Sequence, residues 1–490
     1  MITFFIGLAI LVVGGVVYGQ YCEKVFGPDD RQTPATAMED GVDYVPMNKL
    51  KNSLIELLNI AGTGPILGPI QGILFGPLAF ITIPIGNVLA GSMHDYFSGM
   101  ISLRNDGAQM PRMIKKYLGN KTYGFYNVVI MFLMLLVGAV FIYTPGDLIV
   151  KDLMGQEAIA SNPTTWIVYA CIFAYYLIAT LFPIDKIIGK VYPVFGLALI
   201  VSAVGVFIGV LMNLQHLTNV DFANIPLQNM TGTPWIPIFF ITVACGILSG
   251  FHATQATLIS RSVSSEKEGR TTFFNMMLLE GFIAMCWAAG AMVLFNKGVA
   301  TDTPATLMIG NISREFLGNI GAYFAIVGVV VLPITSGDTA LRGLRLMVAE
   351  HFNIDQVDRK KRVSVSGAIF ALVAVILVWA KLSPSGFGML WRYFAFTNQF
   401  VAIFALSMIS VYLLIHNKNY IVSLIPGMFY TFVTISFILN AKIGFNLDRI
   451  FGREDFMVSY IVAGIITIVY AMVTVNYGKK HGLSIEDRKV

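Results

Sequence analysis

Hydrophobic residues in this chain come in long blocks, not in strict alternation with polar ones. Thirteen mostly apolar blocks of about 20 residues, the length of a helix that crosses a bilayer, are separated by shorter polar segments. They lie roughly at 1–19, 54–76, 77–101, 123–146, 164–182, 187–212, 234–259, 275–296, 317–337, 363–380, 389–415, 421–440 and 457–476. The pattern predicts an all-α polytopic membrane protein. The first block has no Lys or Arg before it and no small-residue cleavage site after it, so it reads as a retained span. The polar stretch 20–53 reads as an inner loop, and the charged tail as a solvated end.

Charge orients these blocks. With the N-terminus outside, 25 of the 33 Lys and Arg fall on inside segments and 8 on outside ones, as the positive-inside rule requires. The C-terminus is then expected in the cytoplasm. Composition agrees with a bilayer environment: 56% of residues are apolar and 12% charged, about half the charge of a soluble domain. A basic excess of five, spread along the chain, gives no reason to expect nucleic acid. Cys22, Cys171, Cys245 and Cys286 form no C-x-x-C, the six histidines have no metal-ligand spacing, and no Walker loop occurs. No cofactor or structural metal is expected, nor ATP-driven transport.

Two blocks are interrupted. The second holds Gly62, Gly64, Pro65, Gly68 and Pro69 near its middle. Glycine accepts non-helical angles and Pro65 lacks a backbone donor, so an unwound segment is expected; a kinked helix packed through small residues is the alternative. The seventh holds Gly246 and Gly250, with Ser249, His252, Thr254, Gln255 and Thr257 beside them. The breaks lie five spans apart on helices of opposite direction, the inverted-repeat arrangement of secondary transporters. Residues 54–212 and 234–415 then form two five-helix repeats, with 1–53 and 421–490 added at the ends. A half-helix starting at Pro65 points free N–H groups at a carboxylate. Gly62, Thr63 and Gly64 are therefore candidate substrate ligands, with Ser249, His252 and Gln255 across the cavity.

Charged residues inside spans are costly and mark function or pairing. Asp338 follows Thr335 and Ser336; two hydroxyls beside a carboxylate suit sodium or a proton, and a helix end paired with Arg342 and Arg345 is the structural alternative. Glu280 reads as a proton carrier or an interhelical ion-pair partner. His94 and Asp95 read as a relay at an inner mouth or as an anchor for the basic loop after them. Lys190 reads as a snorkelling residue, Glu56 as facing inside water, and Trp166, Tyr169, Trp235 and Trp391 as interfacial belt residues.

The strings DGVDYVPMNK (40–49), AGTGPILGP (61–69), HDYFSGMISLRNDG (94–107), FPIDKIIGKVYP (182–193), SGFHATQ (249–255) and ITSGDTALR (334–342) resemble the carbon starvation protein A family, in the same order and over nearly the whole chain. Longer members carry a His pair before the AGxGP motif, where Ile55 and Glu56 stand here. The resemblance implies inner-membrane uptake of peptides or pyruvate under starvation, and a LeuT-like core of five plus five helices. By analogy with that fold it implies Thr335 and Ser336 as sodium ligands, or Lys190 in the sodium's place in a proton-coupled relative. The expectation is a symporter in a bacterial or archaeal plasma membrane, driven by protons or sodium. Its cargo is a small carboxylate-bearing nutrient, with Lys190, Glu280 and Asp95 as proton candidates. A sodium-coupled amino-acid transporter, a channel, a starvation sensor and an intramembrane hydrolase are the rivals. The last lacks a recognisable nucleophile and base.

Overall fold

A computed structural model describes residues 1–41, 43–181, 185–223, 225, 232–299, 304–355 and 358–486, without the side chains of 180–195, 359, 483 and 486. Helices lie over all the apolar blocks, and among the described residues no strand forms; one isolated bridge pairs Met47 with Val263. In chain order they are α1 (Ile2–Phe26), α2 (Lys49–Ile60), α3 (Gly64–Gly72), α4 (79–103), α5 (Met110–Leu153), α6 (Pro163–Leu181) and α7 (Asp185–Met212). Then follow α8 (Trp235–Val243), α9 (Gly250–Ile259), α10 (Glu266–Asn296), α11 (Ala305–His351), α12 (Arg359–Leu382), α13 (Gly386–Ile415), α14 (Ile421–Asn440) and α15 (Met457–Glu486). Nine described helical stretches are long and apolar enough to cross a membrane, and Pro163–Ala179 and Gly196–Met212 are shorter apolar helices. One of the nine, Gly64–Leu103, bends at Gly76 (φ 65°) between α3 and α4.

Helix ends overrun the apolar blocks. α11 continues from the block at 317–337 to His351, and α15 from 476 to Glu486. A hydropathy reading sees only the part that suits hydrocarbon, while backbone hydrogen bonding carries the helix on into the polar zone.

Packing divides the helices. α2 and α3, with α8 and α9, pack against α4 and α10; α5, α6, α11 and α12 pack against one another; α13 bridges α5 and α9. α10 and α13 are central, with 78% of the apolar window of each buried, against 33% in α1 and 22% in α15. Tyr169 and Trp391, expected at the membrane interface, are buried instead. The Tyr169 hydroxyl donates to Asp147 Oδ1 at 2.5 Å, and Trp391 packs against Phe387 and Phe394. An amphipathic ring serves a buried polar partner as well as a headgroup layer.

Candidate functional site

Both expected breaks are present. α2 ends at Ile60 and α3 starts at Gly64, with Ala61, Gly62 and Thr63 between them all buried. α8 ends at Val243 and α9 starts at Gly250. Gly246 sits at φ 89°, a backbone that side-chain-bearing residues avoid; a Cβ there would also meet Ala284 at 2.8 Å. The breaks touch: a Cβ on Gly64 would lie 2.4 Å from Cys245 Sγ, and one on Gly68 would lie 3.0 Å from the Val243 carbonyl oxygen. Gly62 faces Phe141 of α5, across the divide between the two helix groups.

Polar side chains from other helices hold these breaks. Asn87 of α4 donates through Nδ2 to the carbonyls of Gly246 and Met277, both at 2.9 Å, which ties the second break to α10. Asn398 of α13 accepts through Oδ1 from the Phe251 N–H at 2.9 Å and donates through Nδ2 to Ser249 Oγ at 2.9 Å. It therefore caps the α9 N-terminus from a distant helix, where sequence-local capping is ordinarily read from the preceding residues.

Beside the second break the protein buries an acid-rich cluster. His252 Nδ1 lies 3.1 Å from Asp95 Oδ2 and 3.6 Å from Glu280 Oε2. His94 Nδ1 lies 2.7 Å from the other oxygen of Asp95. Glu56 stands on α2, which packs against α9 and α10, the helices that carry His252 and Glu280. These five residues are at most 1% exposed. Neither oxygen of Glu56 or of Glu280, nor His94 Nε2, has a protein hydrogen-bond partner among the described residues. Glu56, read from sequence as facing inside water, is fully buried: α7, α9 and α10 pack over α2. Asp95 is likewise fully buried.

Three carboxylates face two imidazoles here. An uncompensated ion in such surroundings costs several kcal/mol, so these groups have to balance one another's charge.

The remaining candidates lie as follows. Ser249 is engaged by Asn398, while Gln255 Nε2 donates to Thr254 Oγ1 at 3.2 Å. Among the described residues Thr63 Oγ1 is buried without a protein partner. On α11, Thr335 Oγ1 donates to the Leu332 carbonyl at 2.9 Å, Ser336 Oγ is buried without a partner among the described residues, and Asp338 accepts from Tyr175 Oη at 2.9 Å. The Lys190 side chain lies outside the described residues. The structure thus joins His252 and Glu280 to the His94–Asp95 pair and buries Glu56 in the same helix group, and it adds Asn87 and Asn398, which the sequence reading had not named. The amide pair Asn398–Gln399 in the middle of an apolar block was the available signal for Asn398.

The family model for "Carbon starvation protein CstA" matches residues 1–144, 142–316 and 288–437. An uncharacterized membrane protein of Haemophilus influenzae is 40% identical over 61% of this chain and 92% of its own length. The peptide transporter CstA of Bacillus subtilis is 24% identical over 88% of each chain. The pyruvate/proton symporter BtsT of Escherichia coli is 26% identical over 61% of this chain and 50% of its own. Among solved structures, a manganese transporter of Eremococcus coleocola shares the fold with a TM-score of 0.53 at 13% identity, over 89% of this chain and 94% of that one. With transporters as its named relatives and matches that run along most of its length, this multi-pass membrane transporter belongs to the carbon starvation protein CstA family.

Proposed function

We propose that the chain is a proton-coupled symporter that imports a small carboxylate-bearing nutrient, pyruvate or a small peptide, across a bacterial plasma membrane with its N-terminus outside. The observation that carries this reading is the buried excess of carboxylates over imidazoles beside the second helix break. The coupling proton resides on His252, Asp95 and Glu280, with Glu56 and His94 adjoining. The cargo carboxylate meets the N–H groups at Thr63 and Gly64, beside Gly62, whose own N–H donates to the Ile60 carbonyl at 2.9 Å; helix ends favour anions there. Ser249 and Gln255 sit on the facing break. Because the cluster adjoins that break and Asn398 fixes it, loading the cluster biases the angle between α8 and α9. That is how a protonation event gates access between two packed helix groups. In the five-plus-five arrangement, α2–α7 and α8–α13 are the repeats, and the group holding the breaks rocks against the other. The pyruvate/proton symporter and the peptide transporters among the relatives support both cargo classes.

A sodium-coupled reading has one supporting observation, the buried hydroxyl of Ser336 without a partner among the described residues, beside Thr335 and Asp338. Uptake of labelled pyruvate into proteoliposomes under an inward proton gradient, without sodium and with unlabelled dipeptide as competitor, separates these. Proton-driven accumulation is the expected result. A strict sodium requirement would transfer coupling to Thr335 and Ser336, and no pyruvate uptake under either gradient would leave peptides as the cargo.

A further inference from the structure

A cavity lies away from both breaks. It encloses about 640 Å³ between α13, α14 and α15, at the end where α5 bends at Gly119. Gly119 adopts φ 84°, and a Cβ on it would meet Tyr477 Oη at 2.9 Å. That bend carries Lys121 to the cavity rim, where its side chain is exposed.

The two ends of the cavity differ. Depth here is counted along α15: the lining runs from Tyr477 through Val473 and Val469 to Ile466, the last three exposed on the outer side, and Phe400 and Ile435 also line the cavity. Hydroxyls in the wall turn to backbone: Thr431 Oγ1 donates to the Gly427 carbonyl at 2.7 Å, and Ser407 Oγ to the Ile403 carbonyl at 2.8 Å. The wall therefore presents carbon and suits hydrocarbon, not a polar solute. The rim is basic. Lys121 has no ion-pair partner among the described residues, and exposed Lys479 and Lys480 follow Tyr477 within a turn.

Length selects the occupant. From Tyr477 at the rim to Ile466 at the deep end is eleven residues of α15, or about 16 Å at the helical rise. That is about half of the ~30 Å hydrocarbon core, the depth of one leaflet. We infer that this cavity binds one acyl chain of an anionic phospholipid, with the headgroup phosphate at Lys121 and the chain running toward Ile466. A cationic rim above an apolar slot one leaflet deep complements both parts of such a lipid. The Lys and Arg distribution assigns the rim to the cytoplasmic leaflet.

Native mass spectrometry of the full chain in detergent tests this, with titrations of phosphatidylglycerol and, in parallel, phosphatidylcholine of the same acyl chains. One phosphatidylglycerol should be retained in preference to phosphatidylcholine. Ile466→Trp, which fills the deep end, should release it. Lys121→Glu, at an exposed site that does not endanger folding, should lower the preference about fivefold or more. Ile468→Trp, at the more exposed of the two neighbouring isoleucines, should leave it unchanged. Equal retention of the two lipids by the unmodified protein would overturn the inference. So would unchanged phosphatidylglycerol binding in both Ile466→Trp and Lys121→Glu. A dimer that Ile466→Trp dissociates would assign the cavity to a second copy of the chain instead.

Discussion

Two buried charge groups in this protein have opposite character. Between α5, α6 and α12, Asp147 Oδ1 meets Lys381 Nζ at 2.7 Å and accepts from Tyr169 Oη at 2.5 Å; Lys381 also donates to the Ala158 carbonyl at 2.7 Å and lies 4.6 Å from the centre of the Tyr143 ring. One cation faces one anion, and each has further polar or aromatic partners. In the other group His94, His252, Asp95, Glu280 and Glu56 leave four carboxylate oxygens without protein hydrogen bonds. Comparable burial therefore serves two ends. In the balanced pair each charge is compensated, which holds α5 to α12. The acid-rich cluster has more carboxylates than imidazoles, and on the proposed reading it is the group that takes up the coupling proton.

Neutralising the cluster should produce the largest functional effect. Asp95→Asn keeps the size of the side chain and removes the anion that His252 and His94 share. Uphill accumulation of substrate in proteoliposomes should disappear, while exchange of substrate at equal concentrations persists. Thermal stability should fall only modestly, because Asn keeps an oxygen for one imidazole while the other loses its anion. Retained uphill accumulation in Asp95→Asn would remove this cluster from the coupling role.

The balanced pair should respond the other way. Lys381→Ala leaves Asp147 buried without its cation and should cost about 3–5 kcal/mol of stability. Replacing both partners, with Asp147→Leu and Lys381→Met, should recover most of that loss. Chemical denaturation in mild detergent reads the difference. A double variant as unstable as Lys381→Ala would mean the pair does more than lock α5 to α12.

Asn398→Ala tests the link between cluster and break. It orphans the Phe251 N–H and removes a partner of Ser249 at a buried site, a loss of about 1–3 kcal/mol. Proton-driven uptake should fall further than stability alone accounts for, because the α9 N-terminus would lose its fixed direction. Equal uptake per folded molecule in Asn398→Ala and the unmodified protein would separate the cap from the transport cycle.

What the sequence made legible follows from the range of each signal. Apolar blocks report a local property, transfer to hydrocarbon, so the helices over them were foreseeable. The breaks at Gly62–Pro65 and Gly246–Gly250 are local as well, written in residues that cannot sustain a helix. The cluster is not local. Glu56, Asp95, His252 and Glu280 come from four helices scattered over more than 200 positions. Each alone has a bland reading: interface, cap, packing residue or ion-pair partner. Only the packing of α2, α4, α9 and α10 sums them into one acid-rich site. Asn398 was missed for the same reason, since a cap delivered from another helix leaves no trace next to the helix it caps. Tyr169 and Trp391 show the converse error: composition suggested an interface where a buried carboxylate and an aromatic stack had recruited the rings.

Asp338 gives the smallest expected effect and the sharpest limit on the comparison. It stands on α11, in the helix group opposite the cluster, and accepts from Tyr175 Oη of α6 at 2.9 Å. Asn at this position retains an oxygen for that hydroxyl, so Asp338→Asn keeps this hydrogen bond, itself worth about 0.5–1.5 kcal/mol. If coupling resides in the cluster, proton-driven accumulation by this variant without sodium should match that of the unmodified protein. Collapse of accumulation in Asp338→Asn, with Asp95→Asn still active, would reverse the assignment. The residue bound to the packed scaffold would then carry the coupling ion, and the acid-rich cluster would be the structural feature.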